Sequence, residues 1–211
     1  MPLIRHHLAR AIFIFLAFTL ILFWPFFLKG EYIVPSDLLL DFYPWQSLES
    51  SDHIVKNTLR SDVLDQILPS WKFFQEQLHQ GIIPLWNPRS AQGMPFFTII
   101  HFSLLSPLVL FFLLLFDLGL GFSLLVVSKF FLLGFFMYLF LRKIKVDFWP
   151  AIIGSLVYML CGFNTVWLLW PHTLVMVLAP LYFLGLEQLL LTPTLKQSIW
   201  TGLVVAGMLL A

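Results

Sequence analysis

Read along the chain, apolar residues fall into long uninterrupted runs parted by short polar breaks. The first, Ala11 to Leu28, holds 18 residues in which only Thr19 and Pro25 depart from the pattern. As a helix rising about 1.5 Å per residue it reaches roughly 27 Å, close to the depth of a bilayer's hydrocarbon core. Further runs follow from Ile99 to Leu118, Phe122 to Leu141, Ala151 to Trp170, Thr173 to Leu191 and Ile199 to the end. The pattern predicts an all-α, polytopic transmembrane helical bundle with a partly helical first external loop. It divides into a cytoplasmic N-terminus and first span (1–28), an external loop with amphipathic helices (29–98), a re-entrant, interfacial or transmembrane segment (99–118), and spans at 122–141, 151–170, 173–191 and 199–211.

Charge orients these spans. Arg5, His6, His7 and Arg10 precede the first run, which by the positive-inside tendency puts the N-terminus in the cytoplasm. Small residues that would mark a cleaved signal peptide are missing. If 99–118 crossed, the next crossing would leave Arg142, Lys143 and Lys145 outside, against the same rule. His101, Ser103, Ser106 and Pro107 suit a segment that re-enters or lies along the outer interface, and the basic cluster then falls inside. The last run has 13 residues and no polar flank, so the chain is expected to be the N-terminal part of a longer one.

Within the polar segment, Ser61 reads as an N-cap. Val63, Leu64, Ile67, Leu68, Trp71, Phe74 and Leu78 then recur at helical spacing until Gly81. Pro69 removes a backbone donor inside this stretch and predicts a kink or two short helices.

Composition agrees: 60% of the 211 residues are hydrophobic, 18% aromatic and 11% charged, where a soluble domain carries about a quarter charged. A net charge of +1 offers no basic stripe for nucleic acid. The single Cys161 supports neither a disulfide framework nor a thiolate metal site.

Candidate chemistry gathers in the loop, where Ser36-Asp37-Leu-Leu-Leu-Asp41 ahead of Pro44-Trp45 is echoed by Ser61-Asp62-Val-Leu-Asp65-Gln66 ahead of Pro69 and Trp71. Asp37 with Asp41, or Asp62 with Asp65, would project from one helix face. There two carboxylates can share a hard divalent cation, magnesium or manganese, or raise one another's pKa. The same acids would equally serve to cap a helix and complement its dipole.

Asp62-Val-Leu-Asp65-Gln66-Ile-Leu-Pro69, then Gly81-Ile-Ile-Pro84-Leu85-Trp86-Asn87-Pro88 and Gln92-Gly93-Met-Pro95-Phe96, resemble the first external loop of the YfhO-like bacterial membrane proteins, among the GT-C type glycosyltransferases. The resemblance covers essentially the whole chain as that family's N-terminal portion. It implies transfer of a sugar from a polyprenyl-phosphate donor to an envelope glycopolymer or lipid acceptor at the outer face. It also implies an aspartate base in the first loop: Asp62 first, then Asp65 and Asp37, with Asp62 and Asp65 as candidate cation ligands. Gln66, Trp86, Asn87, Arg89, Lys129 and His172 are the candidate substrate contacts, and Arg60 a further phosphate clamp.

Each has a plainer reading. Lys129, a charge inside a span, can snorkel to the interface; His172 and the tryptophans suit an interfacial belt; loop arginines are commonly just solvated. The competing function is a non-catalytic transporter, flippase or assembly partner, which would be expected to carry several ionisable residues within its spans or broken helices at mid-membrane.

Overall fold

The computed structural model describes residues 2–48, 60–90, 92–98 and 103–211. Helix α1 (Pro2–Leu22) breaks at Phe23 and resumes as α2 (Trp24–Lys29). Pro25 sits in the first turn of α2, where its missing N–H costs no hydrogen bond, and Gly30 ends the helix at φ +68°. After the 3-10 turns Ser36–Asp41 and Trp45–Leu48, a π-helical turn (Val63–Ile67) runs into α3 (Leu68–His79). Pro69 thus falls in the first turn of α3, so the expected kink is a wide turn upstream of the proline instead of a break at it.

Trp86–Asn87 (β1) and Met94–Pro95 (β2) pair antiparallel, Trp86 opposite Pro95 and Asn87 opposite Met94. This two-residue ladder is the one departure from helix among the described elements. Then come α4 (Pro107–Leu115), α5 (Leu118–Lys143), α6 (Phe148–Met159), α7 (Gly162–Val166), α8 (Thr173–Leu191) and α9 (Leu195–Leu209).

Helices α5 and α8 are the two described helices long and apolar enough to cross a membrane by length and composition. Their 26 and 19 residues rise about 39 and 29 Å. The apolar parts of α1 and α6 are shorter. The stretch 151–170 is not one helix: Cys161 is extended at ψ 149° between α6 and α7. Buried Asn164 donates its amide to the Tyr158 carbonyl at 2.8 Å, taking up a group freed by the break.

Helix α4 has nine residues, about 14 Å of rise against a hydrocarbon core of about 30 Å. Its C-terminal carbonyls are met from α3. Buried Gln75 donates its side-chain amide to the carbonyls of Leu113 (2.6 Å) and Phe116 (2.7 Å), groups a helix end otherwise leaves orphaned. Asp117 then caps α5 by accepting from the Leu120 N–H. Residues 99–102, where the apolar stretch begins, lie outside the described residues, His101 among them.

Helix α5 is the hub, packed by α1, α4, α6 and α8. Glycines allow the close approaches: a Cβ at Gly134 would run into Met159 and Phe15, joining α1, α5 and α6, and one at Gly185 would lie 2.5 Å from Thr201 Oγ1 and 2.8 Å from Trp200. One core holds Phe15, Phe130, Leu133, Met159 and Val177 among the helices. The other joins Val63, Ile67, Trp71, Phe74 and Phe96 of the polar segment to Phe122, Leu169 and Trp170, so the loop shares its core with the bundle.

Helices α1 and α5 lie antiparallel. At one end the His7 ring is 4.8 Å from Phe148, itself 6.2 Å from Tyr138. At the other, Phe23 meets Phe130 at 5.4 Å. The basic N-terminal part of α1 and the basic C-terminus of α5 (Arg142, Lys143) therefore share one end, and the acidic loop sits at the other.

Candidate functional site

At the loop end lies a cavity of about 930 Å³, lined from segments far apart in sequence: Phe23, the run Glu31 to Asp37, Arg60, Val126 of α5, and Thr165, Leu168 and Leu169. The run after α2 is pinned to α5. The Ile33 N–H donates to Ser123 Oγ at 2.9 Å, and that hydroxyl donates to the Gly119 carbonyl at 2.8 Å. Gly119 leaves room for the Tyr32 ring, which a Cβ at that position would meet at 2.9 Å. Leu38, 2% exposed, anchors the 3-10 turn that carries half-buried Asp37.

The lining combines apolar side chains (Phe23, Val126, Leu168, Leu169) with the charged Glu31, Asp37 and Arg60. Glu31 is paired with Lys29 at 3.5 Å, both well exposed. Arg60 Nε is buried and has no hydrogen-bond partner among the described residues. A carboxylate and a guanidinium facing one space can take a proton from a hydroxyl and hold an anion, respectively.

Asp41 is exposed and does not line this cavity. Neither do Asp62, Asp65 and Gln66, which are exposed at the π turn, where the Gln66 amide donates to Asp62 Oδ1 at 3.1 Å. No three His, Cys, Asp or Glu side chains gather among the described residues.

The Trp86, Asn87 and Arg89 side chains bind the hairpin together. Asn87 Oδ1 accepts the Arg89 N–H at 2.9 Å. The Trp86 ring lies against Gly93, whose φ of +108° and a 2.8 Å approach exclude a Cβ. Arg89 donates to Glu76 Oε2 at 2.6 Å and sits 5.4 Å over the Phe73 ring. Arg89 holds the Glu76 carboxyl below its usual range. A depressed folded-state pKa gives stability that is present above the ordinary value of 4.5 and lost as pH falls through the folded one. The hairpin is therefore expected to loosen from α3 below about pH 4.5, read as a change in Trp86 fluorescence that Glu76→Gln shows already at neutral pH.

Lys129 is fully buried and donates to the Trp170 carbonyl (2.8 Å) and Thr173 Oγ1 (2.9 Å). It ties α5 to the turn before α8 instead of snorkelling outward. His172 packs 5.3 Å from Trp167 and 6.5 Å from Phe163, outside the cavity lining.

The sequence reading did not single out Glu31, Thr165 or the apolar lining as parts of a site. The adjacent polar pair Asn164-Thr165 within the apolar run 151–170 was the available signal.

No curated protein and no solved structure matches the chain. The family model described as bacterial membrane protein YfhO matches residues 46–204. That range takes in the π turn, the hairpin, Arg60 and the bundle from α4 into α9, well over half of the 211 residues. The chain accordingly belongs to the YfhO family of bacterial membrane proteins.

Proposed function

We propose that the protein is a GT-C type glycosyltransferase of a multi-pass inner membrane bundle, moving a sugar from a polyprenyl-phosphate donor to an envelope glycopolymer or lipid acceptor. The observation that carries this is the cavity at the loop end, which Asp37 and Arg60 line together with apolar Phe23, Val126, Leu168 and Leu169. Such apolar side chains suit the isoprenoid end of a lipid carrier, and the charged ones suit its phosphate.

In this reading Asp37 takes the acceptor hydroxyl's proton as the oxygen attacks the anomeric carbon. The carbon–oxygen bond to phosphate breaks, and the departing phosphate is held by Arg60. Charge builds at the anomeric carbon as in glycoside hydrolysis. Asp37 is preferred over Asp62 and Asp65 because it lines the cavity and they do not. Glu31 and Asp37, which line the same cavity, would be the residues to hold a magnesium or manganese ion, since magnesium takes one or two carboxylates. Such an ion would neutralise charge on the leaving phosphate.

The α1 and α5 basic ends lie together, which supports a cytoplasmic N-terminus, a non-crossing α4 and an outward cavity. A conduit finds less support: among the described residues Lys129 is the one fully buried charge, and Trp170 and Thr173 occupy it. Incubating the purified protein with radiolabelled polyprenyl-phosphate sugar and an envelope extract is expected to yield labelled product. Lipid-linked sugar crossing a vesicle membrane without any product would favour a flippase.

A further inference from the structure

At the opposite end of α1 a second cavity, of about 490 Å³, opens between α1 and α6, lined by His7, Arg10, Phe13, Ile14, Phe148 and Trp149. Its chemistry is divided. Phe13 and Trp149 are 71% and 65% exposed, a greasy rim that bare solvent would not favour. His7 Nδ1 is buried with no hydrogen-bond partner, and no ion pair engages Arg10 among the described residues. The basic end of α5, with Arg142, Lys143 and Lys145, lies on the same side of the bundle, with exposed Asp147 adjoining it and Glu187 of α8 at the same end.

We infer that this groove binds the phosphodiester headgroup of an anionic membrane phospholipid. His7 Nδ1 and the Arg10 guanidinium meet the phosphate, and Phe13, Ile14 and Trp149 take the first part of an acyl chain. An unpartnered imidazole nitrogen and a guanidinium outside any described ion pair, beside exposed apolar side chains and among clustered cations, fit a ligand that is anionic at one end and hydrocarbon at the other. A soluble phosphate would leave the apolar side chains uncovered, and a zwitterionic lipid would gain little from the surrounding charge. The site stands apart from the Asp37 cavity and does not depend on sugar transfer.

The test titrates the purified chain in nonionic detergent with phosphatidylglycerol or phosphatidylcholine carrying the same dibrominated acyl chains. Fluorescence quenching is read as the difference from Trp149→Phe, which isolates Trp149. Phosphatidylglycerol is expected to quench Trp149 at concentrations at least fivefold lower than phosphatidylcholine. Arg10→Gln is expected to remove about that factor, and millimolar inorganic phosphate to displace nothing. Equal quenching by the two lipids, a preference that survives Arg10→Gln, or displacement by inorganic phosphate would each overturn the assignment. Should Arg10→Gln also change quenching by phosphatidylcholine, His7→Gln is read in its place, a retained preference again counting against the site.

Discussion

Asp37→Asn is expected to lower sugar transfer about 100- to 10,000-fold, the range a positioned general base contributes, while leaving the protein folded. The amide is nearly isosteric with the carboxylate and keeps a hydrogen-bonding group at the turn, so Leu38 and the Ile33–Ser123 bond should stay in place. What is lost is the ability to accept the acceptor hydroxyl's proton. Asp62→Asn and Asp65→Asn, at exposed positions of the π turn, are expected to retain transfer within about tenfold, since neither lines the cavity. Initial rates of the three variants at saturating donor decide the ranking. Loss concentrated in Asp62→Asn would return the base to that position.

Gln75→Leu is expected to destabilise the junction of α3 with α4 by about 2 kcal/mol or more. One buried amide serves two helix-end carbonyls, those of Leu113 and Phe116, and each buried group left unsatisfied costs about 1–3 kcal/mol. Leucine matches glutamine roughly in size, so the loss is of hydrogen bonds and not of volume. Gln75→Glu is a sharper variant, because a carboxylate cannot donate to a carbonyl and would set like partial charges together. Thermal unfolding in detergent, with protease susceptibility near Phe116, measures the effect. An unchanged midpoint in both variants would mean that α4 is held by apolar packing alone.

Much of the bundle is legible in the apolar runs, because a stretch of 18 or more residues with at most one charge has few alternatives to a long helix. The run 122–141 lies inside α5, and 173–191 has the bounds of α8. The break at Cys161 is not visible in the run 151–170, since what stabilises it is a tertiary bond from Asn164 to the Tyr158 carbonyl. Pro69 announces an irregularity, yet its form, a π turn upstream, depends on Val63, Ile67 and Trp71 all reaching one core.

The site was harder to read. Two acidic pairs with similar flanks cannot be ranked by spacing. The ranking comes from which of them shares a cavity with Phe23, Val126 and Leu169, residues as much as 146 positions apart in the chain. The Pro-Leu-Trp-Asn-Pro run that carried the family resemblance draws the eye toward substrate, but Asn87 and Arg89 have hydrogen-bond partners within the protein and Trp86 packs on Gly93. A distinctive motif can be distinctive because a tight hairpin demands it.

The account rests on the Asp37 cavity opening to the cell exterior, and cysteine labelling from outside tests that most directly. In a Cys161→Ser background, Ser36→Cys at the exposed rim beside Asp37 and Lys143→Cys at the basic end of α5 are treated with a membrane-impermeant maleimide in whole cells. The prediction is that Ser36→Cys reacts in intact cells and Lys143→Cys only after permeabilisation. Labelling of Lys143→Cys in intact cells, with Ser36→Cys protected, would contradict it.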